Sequence, residues 1–557
     1  MSHSATGGSS DAYRPTAAAS FEKAARRWRD EDPDPETRAE LDALLARGDE
    51  AELADRFSQR LTFGTAGLRG PMGAGPNRMN VATVRYAAAG IARWLDGAGT
   101  VVIGYDARRK SDVFAVESAC VLAAAGVRTL LLPRALPTPV LAWAVRHLGA
   151  SAGVMVTASH NPPGDNGYKV YARDGAQIIP PTDEQIAAAI DEFTSLGGIP
   201  VAERDDPRIE LLGDDIVEAY LSAACAAVPA SSAPAASLSI VYTPLHGVGG
   251  ALFVELVKRS GFAEPHVVAA QAEPDPAFPT VAFPNPEEPG ALDLAVADAD
   301  ARGADLVVAN DPDADRLAVA IPSSAGWRRL TGDEVGVLLA DHLLARAGTD
   351  DRTPLVATTV VSSRLLGKLA ADQGAAYAET LTGFKWVARP AIDHPELRAV
   401  LSYEEALGYS VGELVRDKDG LTAGLAFLAL SAEAKARGES IADRLDGLAR
   451  RYGLHVTGQL SLRDDAAGGL GRLRDTIAAV RRSPPSRLAD RRVTRVRDLL
   501  VDHEPPPGSG GGPLAPTDAL IFELDDSSRV VLRPSGTEPK LKAYVEVVAE
   551  DRPAAET

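Results

Sequence analysis

The chain has 557 residues, 45% of them hydrophobic and 24% charged, which is enough for several domains with cores of their own and rules out wholesale disorder. Its 77 acidic against 58 basic residues leave a formal net charge of -19, which argues against general attraction to nucleic acid or anionic lipid; any anionic substrate must be met by locally clustered cations. The two cysteines, Cys120 and Cys225, both sit in Ala-rich stretches that read as helix, so a disulfide framework is excluded and a reducing compartment fits. Residues 1–20 have neither a basic nor an apolar leader segment and no apolar run reaches bilayer-spanning length, so the expectation is a soluble, cytoplasmic protein.

In chain order, residues 2–19 are rich in Gly, Ser and Ala and are expected to be disordered, while 21–60 space Leu, Ala and Trp among charged residues as amphipathic helices do. From Thr100 short apolar runs alternate with longer helical ones: strands at 100–105, 127–132 and 150–156, helices at 113–125 and 139–148. The grammar restarts with strands at 238–242 and 304–309 around helices at 251–260 and 292–302. It restarts again with strands at 355–359 and 399–402 around a helix at 363–371. The Ala/Pro/Ser stretch 226–237 and the Gly-Trp loop near Gly326 read as seams. Beyond Tyr452 a small α+β unit follows, interrupted by the linker-like 504–513 and ending in a strand at 542–548. The fold class is α/β: three consecutive α/β domains and a C-terminal α+β domain. The predicted boundaries are 1–60 (lead-in), 61–212, 213–325, 326–451 and 452–557.

Four stretches carry chemistry. Thr157-Ala-Ser-His-Asn-Pro162 follows the strand at 150–156, with Gly164, Asn166, Gly167 and Lys169 after it. A serine at the carboxyl end of a strand sits where open α/β sheets place ligands, although Asn-Pro-Pro-Gly-Asp-Asn-Gly would make a turn in any case. The Gly-x-Ser-x-Gly elbow of acyl transfer is absent there. Asn310-Asp-Pro-Asp-Ala-Asp-Arg316 spaces three carboxylates by two, which in an extended loop aims them the same way and suits one hard cation. Arg316 and Pro322 stand where a calcium EF-hand needs Gly and Glu, and burying the carboxylates without a cation would be costly. Ser402-Tyr-Glu-Glu-Ala-Leu-Gly-Tyr409, with Thr382-Gly-Phe-Lys-Trp386 before it, offers carboxylates for sugar hydroxyls and Lys385 for a phosphate or hydroxyl; in isolation the signal is weak, since Glu-Glu is more often a solvated helix start. Arg533-Pro-Ser-Gly-Thr-Glu-Pro-Lys540 combines a cation, hydroxyls and glycine-permitted N–H groups, a phosphate cradle or a plain turn. Two weaker stretches are Phe63-Gly-Thr-Ala-Gly-Leu-Arg-Gly70, which offers Arg69 to an anion, and Leu245-His-Gly-Val-Gly-Gly250, a poor dinucleotide match in which His246 reads as structural.

Serine loop, carboxylate loop, hydroxyl-binding loop and phosphate cradle occur once per inferred domain, in that order. This joint pattern resembles the α-D-phosphohexomutase family, from about Phe63 to Val548, and looks most like its phosphoglucomutase and phosphopentomutase branch. The resemblance implies four domains around a central cleft in a heart-shaped molecule, the last with a TATA-binding-protein-like fold. It also implies a serine, Ser159, that carries a phosphoryl group, with Lys169 as general acid/base and Arg69 and His160 at the reacting centre. One Mg²⁺ per chain would be held by Asp311, Asp313, Asp315 and the group on Ser159. Arg316, Lys385 and Glu404 would meet the substrate, and Arg533, Ser535, Gly536 and Thr537 the phosphate that is not transferred. Many relatives read Gly-Glu-x-Ser in the sugar loop, where Tyr403 and Ala406 replace the glycine and serine here. The activity so implied is interconversion of glucose 1-phosphate and glucose 6-phosphate through a sugar 1,6-bisphosphate, which also serves as activator. The alternatives are a phosphomannomutase or phosphopentomutase, a sugar-bisphosphate synthase sharing nearly every residue, and a metal-dependent phosphatase sharing the Asp loop. The partner is a small phosphosugar, with no nucleic acid and no membrane.

Overall fold

Three amphipathic helices, Ala18–Glu31, Pro35–Arg47 and Glu50–Phe57, lead into the chain, the last two capped by Asp34 and Asp49, whose carboxylates accept from the N–H groups of Glu36 and Glu52. Their apolar faces close a small core of Ala25, Leu41, Leu44, Leu53 and Phe57, and Trp28 reaches out to Tyr86, ring centroids 6.4 Å apart. The computed structural model describes residues 18–64, 67–231, 233, 237–348, 351–464, 466, 468–505, 509, 512–534 and 540–549. The expected disorder over 2–19 lies almost wholly outside these. No helix among the described residues is long and apolar enough to cross a membrane, and both cysteines are free, in the helices Ser111–Ala124 and Asp215–Ala227.

The first sheet has six strands in the order Leu68–Pro71, Asp165–Ala172, Ala152–Val156, Thr100–Tyr105, Arg128–Leu131, Ile209–Leu211; the last four are parallel and the first two antiparallel. The second runs Gly326–Arg329, Ala318–Ser323, Leu306–Ala309, Ile240–Thr243, His266–Val267, with parallel pairing around Ile240–Thr243 and an antiparallel hairpin at the other edge. The third is Ala376–Thr380, Thr353–Thr359, Leu397–Glu404, Gly408–Val411. The fourth is fully antiparallel: Leu454–Arg463, Lys540–Ala549, Arg529–Pro534, Leu520–Leu524, Arg491–Asp498, Arg487–Leu488, with the helix Gly469–Arg482 packed on it through Ile477. The architecture is therefore three mixed α/β units and a C-terminal antiparallel sheet with helices.

One continuous hydrophobic core runs through the three α/β units, from Val102 and Leu141 through Phe253 and Val308 to Tyr409 and Phe427. At its centre lies the helix Gly420–Ala436, buried from Gly420 through Ala434, as a helix apolar on every side must be. Gly424 lets it press against the ring of Phe253 in the second unit. Three features depart from the sequence reading. Lys169 stands on the strand Asp165–Ala172, not on a loop, because that strand pairs on both sides, with Ala152–Val156 and with Leu68–Pro71. Gly326 begins the edge strand of a hairpin in the second sheet, Ser323 opposite Gly326, so that sheet continues past residue 325 to Arg329. The buried helices Val81–Trp94 and Gly420–Ala436 were not foreseen: the second is apolar on all sides and carries no helical periodicity of polarity, whereas the first does carry one that the sequence reading passed over.

Candidate active site

The sheets deliver their loops to one place because each loop leaves the carboxyl end of a parallel strand: 157–164 after Ala152–Val156, 310–316 after Leu306–Ala309, and Glu404 at the end of Leu397–Glu404. Arg69, Ser159, His160, Lys169 and Gln177 of the first unit, Asp315 and Arg316 of the second, and Gly383, Phe384, Lys385, Glu404 and Lys418 of the third line one cleft of about 180 Å³.

Ser159 adopts a left-handed backbone, φ 49°, a conformation sparsely used by residues other than glycine. Its hydroxyl donates to Asp311 Oδ2 at 2.5 Å and lies 3.0 Å from His160 Nδ1. Arg316 Nη2 lies 3.3 Å from His160 Nε2, and a guanidinium has no acceptor, so Nε2 accepts and the ring proton sits on Nδ1, facing Ser159. Burial, with the charges of Arg316 and Arg69, holds the His160 pKa well below the ordinary value, so the ring is neutral. His160 therefore donates to the serine and is not its base. Arg69 Nη1 donates to Asn161 Oδ1 at 3.1 Å.

The carboxylates of Asp311, Asp313 and Asp315 are fully buried and offer oxygens within 4.8 Å of one another. They converge through a turn with Ala314 at φ 54°, not through the extended loop that their spacing suggested. Neighbouring elements hold this turn. Val248 N donates to Pro312 O at 2.8 Å, Thr138 N to Asp313 O at 2.9 Å and Gly420 N to Ala314 O at 3.1 Å. Gly247 touches the Pro312 backbone so closely that a Cβ would overlap it, which gives the Leu245–Gly250 segment a role as the floor of the carboxylate turn. Asp313 Oδ2 accepts from Thr138 Oγ1 (2.6 Å) and Lys169 Nζ (2.7 Å), and Asp315 Oδ2 from Lys169 Nζ (2.9 Å), with Lys418 Nζ 3.2 Å away. Asp313 Oδ1 and Asp315 Oδ1 are buried with no hydrogen-bond partner. Burial, then the like charges of Asp315 and Asp313, pushes the Asp311 carboxyl well above the usual carboxylate range. Burial acts the same way on Asp313 and Asp315, but the charges of Lys169 beside Asp313, and of Lys169 and Lys418 beside Asp315, instead hold those two carboxyls below the usual range, so both stay ionised. Their orphaned buried oxygens are what a bound cation would satisfy, and the donor set fits a hard divalent metal.

On the far wall, Glu404 Oε1 accepts from Gly383 N at 2.7 Å, and burial raises its pKa. Gly383 has φ 108°, which points that N–H at the carboxylate in a way other residues rarely achieve. Burial lowers the Lys385 pKa to about 8, against the pull of Asp183 and with a further push from Arg533, whose charge thus reaches the cleft from the fourth unit. Ser535, Gly536 and Thr537 lie outside the described residues. Sequence reasoning missed Lys418, Gln177 and Thr138. Asp417-Lys418-Asp419, just before an apolar helix, was the available signal for the first; Asp417 Oδ2 accepts from Gln177 and Tyr171 of the first unit, and Asp419 caps the helix.

Comparison with known proteins agrees with the succession of three α/β units and a different last one. The phosphoglucomutase/phosphomannomutase family models match in succession: alpha/beta/alpha domain I over residues 60–196, domain II over 218–324, domain III over 331–452 and the C-terminal domain over 485–557. A "Probable phosphomannomutase" of Haemophilus influenzae is 42% identical, the match covering 85% of this chain and 94% of that protein. A phosphopentomutase of Mus musculus is 36% identical, covering 94% and 89%. In fold, the chain resembles a phosphoglucomutase/phosphomannomutase family protein from Burkholderia thailandensis, with a TM-score of 0.66 at 21% identity over 89% of this chain and 95% of that one. The chain belongs to the phosphoglucomutase/phosphomannomutase family, whose members are isomerases that move a phosphoryl group within a sugar phosphate.

Proposed function

We propose that the protein interconverts glucose 1-phosphate and glucose 6-phosphate through a phosphorylated Ser159 and a glucose 1,6-bisphosphate that turns over in the cleft. The observation that carries this reading is the placement of Ser159: lining the cleft with a left-handed backbone, its Oγ 2.5 Å from Asp311, whose carboxylate cluster also holds two orphaned aspartate oxygens. In the first half-reaction the bond between phosphorus and Ser159 Oγ breaks and a bond to the free sugar hydroxyl forms, while Lys169, an ammonium beside Asp313 and Asp315, gives a proton to the departing Ser159 Oγ and takes the hydroxyl proton in its place; the second half-reaction reverses this at the other end of the sugar. Asp311, Asp313, Asp315 and the group on Ser159 would hold Mg²⁺, which supplies charge neutralisation to the transferring phosphoryl. Arg69 and Arg316 add cationic charge, His160 keeps Ser159 oriented, and Glu404 with Lys385 grips the sugar. Arg533, Ser535, Gly536 and Thr537 hold the idle phosphate, whose binding energy orients the reacting hydroxyl.

Intact-mass analysis and peptide mapping of the purified enzyme test this: phosphate is expected on Ser159, and Ser159→Ala should lose both the phosphate and nearly all turnover. Full activity in that variant overturns the mechanism. A second reading, a pentose phosphate as preferred substrate, is favoured by Ala406, which leaves no hydroxyl for a hexose ring, and by the phosphopentomutase name of a relative matching 94% of the chain. Comparing kcat/KM on glucose, mannose, ribose and deoxyribose 1-phosphates decides between them, with glucose expected first; release of inorganic phosphate instead of isomer would indicate a phosphatase.

A further inference from the structure

Beneath the serine loop lies a buried group to which the mechanism above assigns nothing. Arg108 follows the strand Thr100–Tyr105 and is 4% exposed. Its Nη2 donates to the carbonyls of Ser159 (2.5 Å) and Asn161 (2.6 Å), and its Nη1 to those of Pro162 (2.8 Å) and Asp165 (3.2 Å). One planar fork thus ties three carbonyls of the loop and that of Asp165 at the start of the next strand, a task that the compact ammonium of lysine could not perform. Asp106, 1% exposed, faces Arg108 Nε at 3.4 Å and continues the linkage. Its Oδ2 accepts from Thr157 Oγ1 at 2.6 Å, and Thr157 Oγ1 in turn accepts from Ser159 N at 2.8 Å. Both the N–H and the C=O of Ser159 are therefore held, and they flank the φ of 49° that turns Oγ toward Asp311. The ring of Phe278, from the second unit, covers the guanidinium at 5.0 Å, so the arrangement is sealed by the domain that carries the carboxylate turn.

We propose that Arg108, Asp106 and Thr157 form a positioning clamp that keeps Ser159 in its left-handed conformation, so that the phosphoryl group is aligned for transfer; they touch no reacting atom. This rests on the phosphoserine reading, and the experiment separates the two. Thr157→Val removes the hydroxyl without changing side-chain shape, Thr157→Ser keeps it, and Arg108→Lys keeps the charge without the fork. Each variant is incubated with glucose 1,6-bisphosphate and repurified. Phosphate on Ser159 is counted by intact mass and peptide mapping, and kcat and KM are expressed per phosphorylated chain. Thr157→Val and Arg108→Lys are expected to lose about 10- to 100-fold in kcat with KM changed by less than about threefold, the mark of a misplaced reactive group. Thr157→Ser should recover most of the loss. A purely structural role would instead lower the melting temperature and the active fraction and leave kcat per phosphorylated chain intact. That result, or a Thr157→Val enzyme as fast as Thr157→Ser, overturns the clamp. If Arg108→Lys fails to fold, the Thr157 pair still decides. Absence of phosphate on wild-type Ser159 removes the phosphoserine reading, and the clamp with it.

Discussion

Within the cleft, individual ionisations separate groups that bind charge from groups that are merely buried. Removing one aspartate charge should weaken metal affinity by at least about tenfold, because Asp313 presents both an orphaned oxygen and the partner of Lys169. Asp313→Asn is expected to shift the Mg²⁺ midpoint for activity restored after chelation upward by that factor, while wild type treated with chelator is inactive until Mg²⁺ returns. Chelated enzyme working at full rate would contradict the metal assignment. Lys385 makes a different prediction. Burial brings its pKa to about 8, so it is charged at pH 7 and neutral above about pH 9, where its grip on phosphate or hydroxyl is lost. The kcat/KM profile should fall on the alkaline side with a midpoint near 8, and Lys385→Arg, which keeps its charge, should move that fall beyond about pH 10. An alkaline limb unmoved by the arginine assigns it to another group.

Elements meet at the site by close backbone approach, and glycine marks where. Gly247 follows the strand Ile240–Thr243 and lies against the Pro312 backbone of the carboxylate turn, where no side-chain end could swing aside for a methyl. Gly247→Ala should displace the turn by a fraction of an ångström or more, lowering kcat about 10- to 100-fold and weakening the metal response, with a smaller loss of melting temperature. Gly447, within the helix Ile441–Tyr452, has open space at its Cβ position, so Gly447→Ala should stabilise by ~1 kcal/mol through helix propensity and leave kinetics unchanged. Denaturant unfolding alongside steady-state kinetics reads both variants, and equal behaviour of the two would refute the steric argument.

Across the molecule, the third and fourth units are pinned by a buried ionic seam. Arg529 donates to Glu546 Oε2 at 2.9 Å and to Glu379 Oε1 at 3.3 Å, while Ser363 Oγ and the N–H of Arg364, from the third unit, also reach Glu546. Burial alone would raise the Glu546 carboxyl, but the charge of Arg529 and the hydrogen bond from His455 hold it at about 2. A carboxyl depressed in the folded state binds fewer protons folded than unfolded, so its contribution is complete above the unfolded pKa of about 4.5 and is lost as pH falls towards 2. The shift corresponds to roughly 3 kcal/mol at neutral pH. Glu546→Gln should therefore be destabilised most at pH 7, with the gap to wild type narrowing between pH 5 and pH 3 in denaturant titrations. A gap independent of pH over that range would show that the carboxylate charge contributes nothing to the seam.

The division into three α/β units and a different last one was legible in the sequence because it depends on local properties: short apolar runs, helical runs, and glycine, serine or aspartate where strands end. The serine loop, the carboxylate turn and the Lys385 and Glu404 segments were legible for the same reason, since a loop at a strand's carboxyl end needs turn residues and its chemistry lies in adjacent letters. What tertiary structure decided was adjacency between distant letters. Lys169 became a strand residue because it pairs opposite Met155 of Ala152–Val156, while the residues just before it, 165–168, pair with Leu68–Pro71, although the Asn and Gly there read as turn. Gly247 became the floor of the carboxylate turn because Ile240–Thr243 and Leu306–Ala309 pair side by side in the second sheet, and Lys418 became a neighbour of Asp315 only when the second and third units packed on one core around the helix Gly420–Ala436. No pattern of polarity in that helix could announce it, because it is buried on every side. The sequence alone determined which chemistries each loop could offer; burial and packing determined which of them share a cleft, in which charge state, and with Ser159 turned to face the aspartates.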